Sequence, residues 1–99
     1  MNKIISYIGF AQKSNSLIAG QTPLKRTKNK LNLILVCSTG SENLINLAKN
    51  LAIKHGCEYI VTKPELVTLT NIKDIKIVGI TDENLSKAIM QNKEIINIG

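Results

Sequence analysis

The apolar positions of the chain follow two spacings, one typical of helices and the other typical of strands. Near the start, apolar residues recur at the three- and four-residue spacing of one helix face: Ile4, Ile5, Ile8 and Ala11. This spacing predicts a helix over residues 3–13. The clearest helix is predicted over residues 42–55, and Gly56 ends it. Its buried stripe consists of Leu44, Leu47, Ala48 and Leu51.

Short apolar runs typical of strands separate the predicted helices. Residues 31–37 are almost continuously aliphatic, which predicts a strand buried on both faces. Further strands are predicted over residues 17–19, 59–62 and 75–80. A last helix follows with Thr81 or Asp82 as its N-cap, and its inward face consists of Leu85, Ala88 and Ile89. This alternation predicts an α/β fold, a three-layer α-β-α sandwich with helices on both faces of a sheet.

Turn-forming residues predict two shorter helices between these elements. Gly20 permits a sharp turn, and a short second helix is predicted over residues 23–28 with Thr22 as its N-cap. Pro23 then occupies the first helical position, where its missing N–H has no helical partner to lose. Another short helix is predicted over residues 64–69, with Asn71 as a left-handed stop.

Length and composition predict one domain that covers residues 1–99. The core must be aliphatic, since the chain has sixteen isoleucines and three aromatic residues. No stretch of about 18 apolar residues is present, and the N-terminus lacks a clean signal-peptide cleavage site. We therefore expect a cytoplasmic protein. One histidine and two separated cysteines predict neither a disulfide framework nor a metal site, and no cofactor motif is found.

Positive charge is confined to the first two-fifths of the chain. Residues 1–41 contain six basic side chains and no acidic one, whereas residues 42–99 contain seven of each. The net charge of +6 therefore comes entirely from the N-terminal part. A local excess of this kind attracts polyanions such as nucleic acid. A solubility bias in Lys content would produce the same balance.

Several segments together resemble a known family. They are I-G-F-A-Q-K-S-N-S-L-I-A-G at residues 8–20, L-N-L-I-L-V at 31–36, S-E-N at 41–43 and I-V-G-I-T-D-E-N-L-S-K-A-I at 77–89. Their order and spacing resemble the kink-turn RNA-binding ribosomal protein superfamily, which includes the large-subunit seven-Ae and thirty-e proteins. Within it, the chain is most similar to the small bacterial YlxQ-like branch. The resemblance covers residues 4–92.

The resemblance implies a small, mostly four-stranded mixed sheet between helical layers, and RNA bound by two neighbouring elements. The first is the glycine-led start of the second helix, which corresponds to Gly20, Gln21 and Thr22. The second is the loop before the last strand, which corresponds to Asn71, Ile72 and Lys73. A helix N-terminus offers free N–H groups, and RNA specificity arises from shape and unstacked bases.

The chain departs from the family pattern at both elements. The family's second helix begins G-x-N-E-x-x-K, whereas here Thr22 replaces the asparagine and Pro23 replaces the glutamate. Pro23 has no side-chain acceptor, so the carboxylate that reads the G·A pairs is missing. The family's L-G-x-A-x-G before the recognition loop is replaced by residues 66–71. The basic side chains remain.

The sequence therefore predicts a non-enzymatic, ribosome- or structured-RNA-associated protein with degenerate kink-turn motifs. Phosphate contacts are expected from a cluster of four basic side chains in six residues: Lys25, Arg26, Lys28 and Lys30. Lys13 and Gln12 would extend this surface, or Lys13 would only stabilise the end of its helix. The same fold without specific RNA binding, a protein–protein interaction module, is the alternative suggested by Thr22, Pro23 and Val67.

Two further readings concern reactive side chains. Residues 37–41, Cys-Ser-Thr-Gly-Ser, form a strand end and a loop before a helix, where either Ser41 or Thr39 with Glu42 caps the helix. Such a loop can hold a phosphate near a thiol, but a buried Cys37 explains the pattern as well. His55 is expected to stabilise its helix C-terminus as a cation.

Overall fold

The computed structural model describes residues 3–62 and 75–91, with the side chains of residues 3–5 excepted. The described helices are α1 (Lys3–Lys13), α2 (Gln21–Arg26), α3 (Glu42–His55) and α4 (Glu83–Gln91). The described strands are β1 (Leu17–Ala19), β2 (Leu33–Cys37), β3 (Glu58–Thr62) and β4 (Ile77–Ile80). The helix predicted over residues 64–69 and its stop at Asn71 lie outside the described residues.

The four described strands form one mixed sheet in the order β1-β4-β2-β3. β4 is antiparallel to both of its neighbours, and β2 is parallel to β3. The register pairs Ile34 of β2 with Gly79 of β4 on one side and with Tyr59 of β3 on the other. The central strand β2 is buried along its whole length, which confirms the prediction of a strand covered on both faces.

Helices cover both faces of the sheet, so the predicted three-layer α-β-α sandwich is confirmed. Side chains of β2 alternate between two cores because successive strand residues point to opposite faces. The first core joins the sheet to α1 and α4 and includes Ile8, Leu33, Leu35, Val78 and Ile89. The second core joins it to α2 and α3 and includes Leu24, Ile34, Val36, Ala48 and Leu51.

The helix ends are set by the residue types that the sequence indicated. The Ser41 hydroxyl accepts a hydrogen bond from the Leu44 N–H at 3.1 Å, so Ser41, not Thr39, caps α3. Gly56 ends α3 in the left-handed conformation. The Asp82 carboxylate accepts from the Leu85 N–H at 2.9 Å and caps α4. Within residues 3–62 and 75–91, no helix combines the length and apolar character needed to cross a membrane.

Two predicted strand starts were early by two residues. β2 begins at Leu33 rather than residue 31, and β4 begins at Ile77 rather than residue 75. Leu31 and Ile75 are both buried, so their apolar character comes from core packing outside the strands. An apolar run indicates which residues are buried, and buried residues continue beyond the ends of a strand, so the run does not mark the first paired residue.

Candidate nucleic-acid interface

The second helix begins earlier than the sequence predicted, and it has a different cap. α2 starts at Gln21, and Gly20 is its N-cap. Gly20 has φ +96° and ψ 158°, a backbone conformation that essentially only glycine adopts. Thr22 therefore lies inside the helix, which corrects its prediction as the N-cap. Pro23 falls in the first turn, where its absent N–H leaves no helical bond unmade. The first N–H that bonds back is that of Leu24, to the Gly20 carbonyl at 3.3 Å.

α2 is held on the sheet by one buried side chain, Leu24, which packs against Gly79 of β4. Leu24 is 1% exposed. A methyl group built on Gly79 of β4 would lie 2.5 Å from Leu24 Cδ2 and 2.9 Å from Leu31 Cδ2. The helix therefore approaches the strand at a distance that only glycine allows. With Leu24 directed inward, Lys25 and Arg26 are exposed to solvent.

The loop after α2 is fixed by hydrogen bonds at its C-terminal end. The Leu31 N–H donates to Nδ1 of His55 at 3.1 Å. The Asn32 backbone N–H donates to the Ile80 carbonyl at 2.8 Å, and its side-chain amide donates to the Thr81 carbonyl at 2.7 Å. Lys28 and Lys30 are exposed on the loop that these contacts anchor.

The predicted site residues extend along one segment rather than meeting at one point. The Gly20 N–H donates to the Ile77 carbonyl at 3.0 Å, so the start of α2 lies beside the first residue of β4. The Asn32 N–H donates to the Ile80 carbonyl, so the C-terminal end of the loop lies beside the last residue of β4. Gln21, Thr22 and the four cations of residues 25–30 are all exposed, and we call this surface the α2 surface. Lys28 and Lys30 thus lie at the end of the sheet opposite to Gly20.

The four cations of the α2 surface have no carboxylate partner within the described part of the chain. The single ion pair found there joins Lys87 of α4 to Glu83 of the same helix at 3.3 Å. Lys25, Arg26, Lys28 and Lys30 therefore present uncompensated charge. The predicted second wall, Asn71, Ile72 and Lys73, lies outside the described residues.

His55 has a different role from the one that the sequence predicted. Its Nδ1 accepts a hydrogen bond from the Leu31 N–H, which requires that this nitrogen carry no proton. Burial, together with the charges of Lys54 and Lys30, lowers the pKa of His55 from its ordinary value. His55 is therefore a neutral acceptor that positions the loop, not a cation at the helix C-terminus.

The thiol of Cys37 lies at the end of β2 and is packed away from solvent. Cys37 is 4% exposed, and its Sγ lies 3.0 Å from the Thr39 hydroxyl. Cys57 immediately precedes β3, at the opposite end of the parallel β2–β3 pair, and both cysteines are free. No group of three or more His, Cys, Asp or Glu side chains that could hold a metal occurs in residues 3–62 and 75–91.

Sequence reasoning missed two residues that position the α2 surface. Gly79 admits Leu24, and Asn32 ties the loop to the sheet. Asn32 left a signal, since it is a polar residue in a run that is otherwise aliphatic from residue 31 to 37. Gly79 left a weaker one, because a glycine inside a strand marks close approach of another element.

Comparison with known proteins supports the fold. No family model matches the chain, and no curated protein matches it. A solved structure of a protein of unknown function from Bacillus halodurans aligns with a TM-score of 0.81 at 15% sequence identity. The alignment covers 95% of this chain and 99% of that chain. The two chains share the architecture described above, and at this identity the likeness extends to the fold alone.

Proposed function

We propose that this protein binds structured RNA, without catalysis, through the α2 surface. The observation that supports this most directly is the set of four exposed basic side chains in residues 25–30, none of which is paired with a described carboxylate. Cations in this state bind phosphates and release condensed counterions, which makes binding favourable and dependent on salt. An RNA partner of this kind would place the protein in the cytoplasm.

The resemblance to kink-turn RNA-binding ribosomal proteins narrows the proposed RNA to kinked helices, ribosomal or other. Thr22 and Pro23 are exposed at the start of α2, where the family pattern has base-reading Asn and Glu. Thr22 retains one hydroxyl, whereas Pro23 supplies no acceptor. We therefore propose binding dominated by phosphate contacts and RNA shape, with weak discrimination among base pairs at the kink.

The test is a titration of a kinked RNA duplex containing tandem G·A pairs against the wild type and the double variant Lys25→Ala, Arg26→Ala. Loss of two phosphate contacts should make the negative slope of log affinity against log salt shallower by about 1.5. Affinity at low salt should fall correspondingly. Binding can be followed by fluorescence anisotropy of labelled RNA over a series of salt concentrations.

The matched control is the double variant Lys49→Ala, Lys87→Ala, which removes the same charge from α3 and α4. Both lysines are exposed: Lys49 lines a groove together with Tyr59 of β3, and Lys87, paired with Glu83, is on α4 in the layer opposite to α2. This control should retain the wild-type slope. Equal loss in both double variants would show that only net charge matters, and unchanged binding by the α2 variant would refute the site. A duplex with G·C in place of G·A tests discrimination, which we expect to be small.

One observation favours the alternative, a protein–protein interaction module. Ile53 is 70% exposed and Tyr59 is 37% exposed, and both line a groove of about 310 Å³ between α3 and the start of β3. Exposed apolar side chains that lie together are typical of protein contacts. Recovery of one protein partner after nuclease treatment, lost in the variant Ile53→Asp, would favour this function over RNA binding.

A further inference from the structure

Phe10 is the one large apolar side chain on α1, among those described, that faces solvent. It is 59% exposed. The opposite face of the same helix is anchored in the core by Ile8 and Ala11, both fully buried. The Ser14 hydroxyl and N–H both bond to the Phe10 carbonyl, at 2.9 and 3.0 Å. The ring is thus presented from the fixed last turn of a helix.

The surroundings of Phe10 are open and small. A groove of about 260 Å³ beside the ring is lined by Ser6, Gly9, Phe10 and Lys13. A methyl group built on Gly9 would meet no heavy atom within 4 Å apart from its own helix neighbours, so the groove is open at Gly9. Pockets that enclose drug-sized ligands measure about 300–1,000 Å³, so this groove suits a single planar ring.

Charge near Phe10 favours a polyanion. Lys13, one helical turn away, is exposed, and residues 1–41 contain no acidic side chain. The start of α4, with its cap Asp82 and first residue Glu83, follows Thr81, whose N–H donates to the Ser16 carbonyl at 2.8 Å. Asp82 is engaged in capping Leu85, and Glu83 is paired with Lys87. These carboxylates are therefore partly neutralised by groups of their own helix.

A hydrogen-bonded path connects this patch to the α2 surface. The Thr81 N–H and hydroxyl donate to the carbonyl of Ser16, which directly precedes β1, and the Thr81 carbonyl accepts from the Asn32 side chain at 2.7 Å. Ser16, Thr81 and Asn32 therefore lie together at one end of the sheet. Lys28 and Lys30 precede Asn32 at this same end, and Lys13 precedes Ser16 there. Both groups of cations therefore precede, by two to four residues, backbone that meets at this end of the sheet.

We propose that Phe10 and Lys13 form a stacking site for one unpaired base of RNA, with the Lys13 ammonium on the adjacent phosphate. The inference rests on the proposed RNA-binding function and extends it to a second contact on α1. A base stacks on an exposed aromatic ring without regard to its identity, and a nearby cation holds its backbone. Protein docking is less favoured here, because the other exposed large apolar side chains among those described, Ile53 and Tyr59, lie on α3 and β3.

The chain contains no tryptophan, so Phe10→Trp introduces a single fluorophore into the site. Titration with an oligouridylate of about 12 nucleotides should quench this tryptophan in a saturable, salt-dependent manner. The matched control is Tyr59→Trp, another exposed aromatic position, where the same titration should leave the emission unchanged. Absence of quenching at residue 10, or equal quenching at both positions, would overturn the stacking site.

Affinity measurements separate stacking from a simple apolar contact. Phe10→Ala should weaken oligouridylate binding by about 5- to 150-fold, and Phe10→Leu should weaken it similarly because leucine has no ring to stack. Phe10→Tyr should retain wild-type affinity. Since Phe10 is exposed, these variants should keep the wild-type circular dichroism spectrum. Oligouridylate binding by Phe10→Leu with wild-type affinity would overturn the stacking site. It would also be overturned if Phe10→Ala lost a co-purifying protein while it still bound RNA.

The two proposals fail in distinguishable ways. If the wild type binds the kinked duplex and the α2 variant does not, the proposed function stands whatever Phe10 does. If the Phe10 variants then bind oligouridylate and kinked RNA as the wild type does, the stacking site alone is wrong. If the wild type binds neither RNA, both proposals are wrong.

Discussion

At the scale of single residues, His55 illustrates how one contact sets a protonation state. Its Nδ1 accepts the Leu31 N–H, so a proton on that nitrogen would break the bond and leave the N–H without its partner. Burial disfavours the charged imidazole, and Lys54 and Lys30 add repulsion. The side chain that closes α3 is for these reasons a neutral anchor for the loop that bears Lys28 and Lys30.

This arrangement predicts that the protein loses stability in mild acid. The pKa of His55 is lowered in the folded state, so the unfolded chain takes up a proton at higher pH than the folded chain does. The stabilisation is therefore fully present above about pH 6.5 and decreases as the pH falls from there toward the lower folded pKa. Urea denaturation between about pH 7.5 and 5.5 measures it as a falling free energy of unfolding.

His55→Gln is the control for this prediction, because His55 is the only histidine in the chain. The variant should show a weaker pH dependence than the wild type over the same range. Identical pH profiles for the two proteins would mean that His55 carries no linkage and that the Leu31 contact tolerates protonation.

At the scale of elements, α2 shows how a short helix is held by packing rather than by its own propensity. Six residues are too few for a stable isolated helix, and one of them is proline. The helix is retained because Leu24 packs against β4 at Gly79 and because Gly20 adopts a backbone conformation that turns the chain from β1 into α2. The exposure of Lys25 and Arg26 follows from this packing.

The contact between α2 and β4 predicts coupled stability effects. Gly79→Ala should destabilise the protein by about 1–3 kcal/mol, since Leu24 and Leu31 are buried and have little room to move. Leu24→Ala alone should destabilise it by about 2–5 kcal/mol. In the double variant the added methyl group occupies space that the leucine vacated, so the combined loss should be smaller than the sum.

Urea denaturation of the wild type, both single variants and the double variant gives this coupling energy directly. Additive losses within about 0.5 kcal/mol would show that Gly79 and Leu24 do not share a contact. The RNA affinity of Gly79→Ala provides a second readout, because displacement of α2 would move Lys25 and Arg26.

At the scale of the whole molecule, the sandwich gives its two cysteines different environments. Cys37 lies in the core between the sheet and the α1–α4 layer, while Cys57 is half-buried beside β3. Burial raises the pKa of the Cys57 thiol, an effect that Glu58 reinforces and Lys30 opposes. A raised pKa leaves less of the reactive thiolate at neutral pH.

Thiol titration should therefore find one reactive cysteine in the folded protein, Cys57, and it should react slowly. In the unfolded protein both cysteines should react. Cys57 should react more slowly than free cysteine at the same pH. In the variant Cys57→Ser, the remaining Cys37 should be labelled only at the rate at which the fold opens. Rapid labelling of Cys37 in that variant would contradict its packing and would favour the phosphate-handling role that its loop sequence suggested.

Some elements were predictable to the residue from the sequence. α1 and α3 have the bounds that apolar spacing predicted, and β2 has the double burial that its aliphatic run predicted. These features depend on neighbours three or four positions away or on the composition of one short run, so local sequence contains the information. The start of α2 was not predictable, because its N-cap is a backbone conformation of Gly20 rather than a side-chain bond at Thr22.

The sequence by itself determined the alternating elements, the ends of α3 and the concentration of positive charge in residues 1–41. Tertiary structure alone decided where those charges lie. The hydrogen bonds of β4 hold Gly20, at the start of α2, beside one end of this strand, and hold the loop that bears Lys30 beside the other end. It also decided that His55 is neutral, through a bond to a residue 24 positions away. Such contacts depend on strand order and register, which no local pattern specifies.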